Sequence, residues 1–276
     1  MRLAETLARA ASYLEERGVE SPRLDAELLL GKALGLERIE LYTQHDRPLT
    51  ESELTAAREL VRRRGRREPL AYVLGEWGFR RLTLRTDRRA LVPRPETEVV
   101  VERCLALLRD LPEPDVLDVG TGTGAIALAV ADEHPGARVT AVDRSRDALA
   151  LARENLDLTG IDGRVRLVEG DVREGLERAA YDLVVSNPPY VSEEEVASLP
   201  GEVRDWEPRD ALVGAGTTEA VARAAVEALR PGGWLVLEVH EQGAGETAEL
   251  LERLGYRDVG IACDLAGKER VVEATR

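Results

Sequence analysis

The sequence predicts an α/β protein whose larger part is a mostly parallel sheet, with a small helical segment ahead of it. After Pro95, short apolar runs alternate with helix-patterned stretches, the order expected of parallel strands joined by crossover helices. The run Asp115-Val116-Leu117-Asp118-Val119 passes into Gly120-Thr121-Gly122-Thr123-Gly124 and a helical stretch from Ala125 to Asp132, a strand–turn–helix unit. A further run, Leu183-Val184-Val185, stops at Asn187-Pro188-Pro189-Tyr190, because two prolines cannot continue a strand.

Residues 1–72 read as helices with no convincing strand. Leu3, Leu7, Ala10, Ala11 and Leu14 keep helical spacing as far as Gly18. Ser21-Pro22 reads as a cap followed by proline at the first helical position, leading into a helix over Asp25 to Ala33. Thr50 to Glu53 has the form of a capping box ahead of a helix from Leu54 to Arg64. From Tyr72 to Val92 the apolar period falls towards two, with Gly75 and Gly78 as breakers, so residues 73–92 are expected to form a β-hairpin linker. Residues 93–276 then make the sheet domain. Its further strands are expected at Arg138 to Val142, Val165 to Val168 and Gly232 to Val239, with a closing pair at Tyr256 to Cys263 and Arg270 to Ala274. A helix over Ala244 to Leu254 precedes that pair.

In open α/β sheets ligands sit outside the carboxyl ends of the strands, where the chemistry-bearing residues of this chain also fall. Gly120, Gly122 and Gly124, with Thr121 and Thr123 between them, let backbone approach a ligand closely with a helix N-terminus behind it. Gly120, Gly122 and Ala125 also satisfy the dinucleotide pattern G-x-G-x-x-G/A. Asp143 closes the next strand about 20 residues on, a position that reaches ribose hydroxyls in nicotinamide and adenosyl cofactors alike. Asp171 follows the strand after that, through Glu169-Gly170, and can accept a hydrogen from an adenine amino group. The Asn187 side-chain oxygen and the Pro188 carbonyl suit a planar NH2 group, whose face the Tyr190 ring would cover while Pro189 stiffens the turn. A nicotinamide enzyme does not need that turn. Methyl transfer from S-adenosylmethionine needs both a nucleoside cradle and an acceptor grip.

Asp118 to Gly124, Asp143 and Asn187 to Tyr190 together resemble class I methyltransferases that act on planar amino or amide nitrogens. Val92-Pro93-Arg94-Pro95-Glu96-Thr97-Glu98 is similar to the PRP(D/E)TE segment of the protein-(glutamine-N5) methyltransferases that modify peptide chain release factors. Glu202-Val203-Arg204-Asp205-Trp206-Glu207-Pro208, with Ala211-Leu212, and Gly75-Glu76-Trp77-Gly78-Phe79 resemble further segments of that family, so the similarity runs nearly end to end. It implies a class I methyltransferase fold: a Rossmann-like, seven-stranded, mostly parallel sheet whose last strand is antiparallel. It also implies S-adenosyl-L-methionine as cofactor and release factors as protein substrates, with methylation at N5 of the glutamine in a Gly-Gly-Gln motif and residues 1–72 recognising that partner. Gly120 to Gly124, Asp143, Asp171, Val172 and Asn187 are then the cofactor-binding set, and Asn187 to Tyr190 the catalytic and substrate-binding set. Glu96, Thr97 and Glu98 come near the cofactor by this likeness alone. At Val172 the chain departs from members that carry an aromatic residue directly after the acid.

The chain's 276 residues accommodate one large domain and a small one, and 43% hydrophobic with 4% aromatic residues implies aliphatic packing. Cys104 and Cys263 lie in apolar stretches without zinc spacing and read as core thiols in a reducing compartment. No signal peptide, membrane span or metal site is recognisable, and a cytoplasmic monomer is expected. A net charge of −14 argues against direct nucleic-acid binding. Arg62-Arg63-Arg64-Gly65-Arg66-Arg67 runs against that trend, as a solvated helix end or as a contact for an acidic partner. His45, His134 and His240 have no motif context. Two rivals stand beside the favoured reading. One is an N6-adenine or N2-guanine methyltransferase, since similar turns hold flipped bases; the other is a non-catalytic adenosylmethionine-binding protein.

Overall fold

The apolar stripe at the start of the chain folds as α1 (Leu3–Glu15), the first element of a computed structural model that describes residues 1–161, 163–178 and 180–276. The chain divides into two units, Met1–Glu76 with Leu199–Trp206, and Trp77–Ser198 with Glu207–Arg276.

In the first unit α1 is followed by α2 (Pro22–Leu34), α3 (Arg38–Thr43), α4 (Glu51–Gly65) and α5 (Leu70–Leu74). Leu3, Leu7 and Leu14 of α1 bury against Leu29 and Leu30 of α2 and Leu54, Ala57 and Val61 of α4. The capping box forms as expected: Thr50 Oγ1 accepts from the Glu53 amide at 3.3 Å, and the Glu53 carboxylate accepts from the Thr50 amide at 2.8 Å. Pro22 opens α2, but Ser21 makes no side-chain cap bond, because its backbone (φ −120°, ψ 61°) leaves the extended region in which a cap oxygen reaches the helix amides. The six residues of α3 bury only Leu41, too little to leave a periodic signal in the sequence.

The arginine run is largely occupied by internal ion pairs. Arg64, 6% exposed, donates to Asp25 at 2.7 Å and to Glu202 at 3.0 Å. Arg67 takes the other Glu202 oxygen at 2.6 Å and the Gly18 carbonyl, while Arg63 is paired with Glu68. Glu202 thereby ties Leu199–Trp206 to α4 within this unit, a segment that lies far away in sequence.

The second unit begins inside a hairpin, β1 (Glu76–Phe79) and β2 (Leu82–Arg85), whose first residue closes the first unit, so the strand pair is shorter than the 73–92 span with two-residue periodicity. It continues with α6 (Thr97–Leu108), β3 (Asp115–Val119), α7 (Ala125–Glu133), β4 (Arg138–Asp143), α8 (Arg146–Thr159), β5 (Val165–Glu169) and β6 (Tyr181–Ser186). After α9 (Gly201–Arg204), which belongs to the first unit, come α10 (Arg209–Leu212), α11 (Thr217–Ala228), β7 (Leu229–Glu238), α12 (Ala244–Arg253), β8 (Arg257–Cys263) and β9 (Glu269–Thr275).

Seven strands form one sheet in the order β5-β4-β3-β6-β7-β9-β8. All neighbours pair in parallel except β9, which runs antiparallel between β7 and β8. Alternate strand residues face opposite helix layers, as the two-residue period of a strand requires. Val116, Val139, Leu183 and Val185 pack with α6 and α7, whereas Leu117, Val142, Val184 and Leu237 pack with α11 and α12. Every residue of α7 from Ala125 to Ala131 is buried, which explains its unbroken apolar sequence. One expectation is corrected: Cys104 is a core thiol, but Cys263 is exposed, because β8 is an edge strand whose register shifts at Ala262/Cys263.

Arg64→Ala would leave the buried Asp25 carboxylate and Glu202 facing each other without their shared cation. Breaking a buried pair in this way costs about 3–5 kcal/mol, so the urea midpoint of the first unit should fall clearly. An unchanged midpoint would show that the ion pairs contribute nothing.

Candidate functional site

The sheet changes direction at β3, which has β4 on one side and β6 on the other, and the crevice at such a switch point is where open α/β sheets take their ligands. Parallel register aligns the strand ends: Val119 pairs with Ser186 and with Val142, and Asp143 with Glu169. Gly120, Asn187, Asp143 and Asp171 therefore emerge along one edge. A cavity of about 850 Å3 opens there, lined by Gly120 to Thr123, Asp143, Asp171, Val172 and Asn187 to Pro189, with Arg94, Thr97 and Gly214.

Two short bonds hold the strand ends together. Buried Ser186 donates its hydroxyl to the Val119 carbonyl at 2.7 Å, and the Gly120 amide reaches the Val142 carbonyl at 2.8 Å. Gly120, Gly122 and Gly124 adopt φ of 75°, 57° and 84°, left-handed values that glycine alone takes without strain. Gly124 does not line the cavity; it is the N-cap of α7. The Asp143 carboxylate accepts from the Gly122 amide at 2.9 Å and the Ser145 amide at 2.9 Å, so it braces the glycine turn and the start of α8 while its remaining lone pairs stay available. Asp171 caps the 3-10 turn Val172–Glu174 by accepting from the Arg173 amide at 2.9 Å. Val172 is buried among Val142 and Val221, an apolar wall without a ring.

The Asn187 turn is shaped from outside. An added Cβ on Gly214 would lie 2.4 Å from Pro189 Cγ and 2.6 Å from its carbonyl oxygen, so only glycine allows the loop before α11 to pack on Pro189. Asn187 donates from Nδ2 to Thr97 Oγ1 at 3.4 Å. Tyr190 does not line the cavity. It is 41% exposed, its ring centroid lies 5.9 Å from that of His240, and burial of its hydroxyl end pushes its pKa up. Of Glu96, Thr97 and Glu98, only Thr97 reaches the cavity.

Asn155 and Glu238 had no motif to announce them, and Glu207 entered only as part of a family-like segment. Asn155, fully buried on α8, donates to the Thr123 and Arg85 carbonyls at 2.9 and 3.2 Å and accepts from the Arg85 amide at 2.7 Å, which joins the glycine turn to the hairpin. Glu207, buried beside the cavity, takes Arg94 at 2.6 Å, and burial still raises its pKa. Glu238 at the end of β7 is 3% exposed, and burial lifts its carboxyl to about 7. Nothing in spacing separates such residues from surface acids; only the fold buries them.

Residues 5–75 match the family model described as PrmC N-terminal domain, and residues 102–201 match the one described as Methyltransferase small domain. The chain is 44% identical to a release factor glutamine methyltransferase of Rhodopirellula baltica, over 99% of this chain and 94% of the relative. It is 45% identical to that of Chlorobaculum tepidum, over 95% of this chain and 93% of the relative. Among solved structures, the hMettl16 catalytic domain matches with a TM-score of 0.57 at 16% identity, covering 69% of this chain and 74% of that one. A SAM-dependent O-methyltransferase of Thermotoga maritima matches at 0.51 and 17%, over 70% of this chain and 67% of that one. Both are likenesses of fold alone.

Under the glycine turn, Asp118 is 1% exposed and accepts from the Thr121 hydroxyl at 2.6 Å; burial pushes its carboxyl up to about 7. The unfolded chain releases this proton near pH ~3.9, so the folded protein holds it where the unfolded chain does not. Stability is therefore lost as pH rises between those two values, and the cost is absent below them. Asp118→Asn keeps an acceptor for Thr121 and cannot ionise. Its stability relative to the wild type should climb with pH through that window, by at most roughly 1.4 kcal/mol per unit. Paired denaturant titrations giving a difference flat with pH would refute this.

Proposed function

We propose that this chain, which belongs to the release factor glutamine methyltransferase family, transfers a methyl group from S-adenosylmethionine to the side-chain amide nitrogen of a glutamine in a peptide chain release factor. The acceptor is N5 of the glutamine in the Gly-Gly-Gln motif. One observation carries this reading: the glycine turn and the Asn187 turn end neighbouring strands and open into the same cavity.

The residues present fit the cofactor. An added Cβ at Gly120 would meet no atom within 4 Å, so the backbone there borders open space. Asp143 and Asp171 stand along the same wall as acceptors for ribose hydroxyls and an adenine amino group, with Val172 and Val142 as apolar cover. When bound, S-adenosylmethionine supplies an electrophilic methyl carbon. The task left to the protein is positioning, because an amide nitrogen is a weak nucleophile whose lone pair is delocalised into its carbonyl. On this reading Asn187 Oδ1 and the Pro188 carbonyl accept the two amide hydrogens, and Pro189 stiffens the turn. Alignment of this kind supplies roughly 7–11 kcal/mol. The nitrogen gains a methyl group and gives up one hydrogen as a proton, which is acidic once the lone pair is engaged. The first unit, which carries the match over residues 5–75, is assigned to capture of the release factor by a monomer acting in the cytoplasm.

Mass spectrometry of a recombinant release factor incubated with this protein and S-adenosylmethionine should show one added methyl on the glutamine. Methylation of nucleic acid in its place would overturn the reading. Asn187→Ala should abolish that methylation while calorimetric cofactor binding persists, and full activity would end the grip assignment. Asp143→Ala should weaken cofactor binding about tenfold or more, since hydrogen bonds to a charged group contribute about 1.5–3 kcal/mol. An unchanged dissociation constant would remove Asp143 from the site.

A further inference from the structure

Two arginines follow the acids of the nucleoside wall, Arg144 directly after Asp143 and Arg173 two residues past Asp171, and both reach one segment of chain. Arg144 Nη2 donates to the Asp210 main-chain carbonyl at 3.5 Å and lies 3.4 Å from the Asp210 carboxylate. Arg173 Nη2 donates to the Thr217 hydroxyl at 3.2 Å. All four residues line the cavity. The segment they hold, 209–217, runs from α10 into α11. Between its ends it lies along the Asn187 turn, where the Val191 amide donates to the Leu212 carbonyl at 3.0 Å and Gly214 packs on Pro189.

The order of strands decides where the Arg144 contact passes. β3 lies between β4 and β6. A side chain that leaves the end of β4 and meets a segment laid against the turn after β6 must cross the end of β3, where the glycine turn borders the cavity. Arg173 fixes the other end of the same segment from the turn after β5. Both contacts are of a kind that opens readily. The Arg144 and Asp210 side chains are 45% and 87% exposed, and solvent takes most of the strength from such a pair.

We propose that segment 209–217 is a cover over the cofactor end of the cavity, clasped by Arg144 and Arg173, and that this clasp gates passage of the cofactor in and out. This rests on the functional reading above, under which spent S-adenosylhomocysteine is exchanged for fresh S-adenosylmethionine at every turnover. A cover locked by buried ion pairs would trap the spent cofactor. One closed by exposed pairs opens often and still keeps water out between openings. A contact that bars a passage slows traffic in both directions, whereas one that grips the ligand itself slows only departure.

The test is stopped-flow measurement of S-adenosylmethionine association with the full chain and release from it, with the dissociation constant taken from calorimetry. Arg144→Ala should raise both rates together, each about two- to fivefold, and leave the dissociation constant nearly unchanged. Arg173→Ala should act in the same direction. Asp210→Ala placed in the Arg144→Ala background should add nothing, because the contact it would break is already gone. Arg144→Ala rates like those of the wild type would overturn the gate and leave the functional reading standing. So would faster release with unaltered association, which would show Arg144 gripping the cofactor itself. A wild-type chain that binds no S-adenosylmethionine would overturn both.

Discussion

The parallel register between β3 and β6 is the constraint on which the rest of the site depends. Val119 lies beside Ser186, and the Ser186 hydroxyl closes the pair on the Val119 carbonyl at 2.7 Å. Two turns of opposite chemistry are thereby forced into adjacency. One is glycine backbone with a helix behind it, suited to a nucleoside; the other is an amide and carbonyls stiffened by two prolines. A slip of one residue would exchange the faces of every side chain on the strand and send the second turn elsewhere. Gly214 and Asn155 then secure the two turns from behind, one by offering no Cβ and the other by three hydrogen bonds.

Acids concentrate around this edge at an energetic cost. Asp118, Glu207 and Glu238 are all nearly buried, and burial raises the pKa of each. A fold built for stability alone would place apolar groups at such positions, because desolvating a carboxylate is seldom fully repaid. Two of the three hold a partner that shapes the cavity: Asp118 the Thr121 hydroxyl, and Glu207 the Arg94 guanidinium. Their common property is directional. When ionised, such a group accepts and never donates, so it dictates which way a neighbouring hydroxyl or guanidinium points.

The first unit shows charge used differently. Its arginine run, basic in sequence, is folded onto Asp25, Glu68, Glu202 and a main-chain carbonyl. Local charge counts could not reveal this, since Glu202 is distant in sequence and meets Arg64 only after the chain returns to this unit. Cys263 misled for a related reason. Its apolar neighbours describe a strand correctly, but only the order of strands in the sheet makes that strand an edge.

What the sequence determined by itself was local: strands from apolar runs, turns from Gly120 to Gly124 and from Asn187 to Tyr190, the Thr50 cap, and the alternation that makes the sheet parallel. These are legible because period, proline and glycine act over a few residues. Tertiary structure alone decided that Asn155, Gly214 and Glu238 belong with those turns, that of Glu96 to Glu98 only Thr97 reaches the cavity, that Tyr190 lies beside the cavity rather than in its wall, and that Leu199–Trp206 leaves the sheet unit. The physical reason is burial. Whether a polar side chain is solvated at the surface or enclosed against one partner depends on which distant segments cover it, and no neighbour in sequence carries that information.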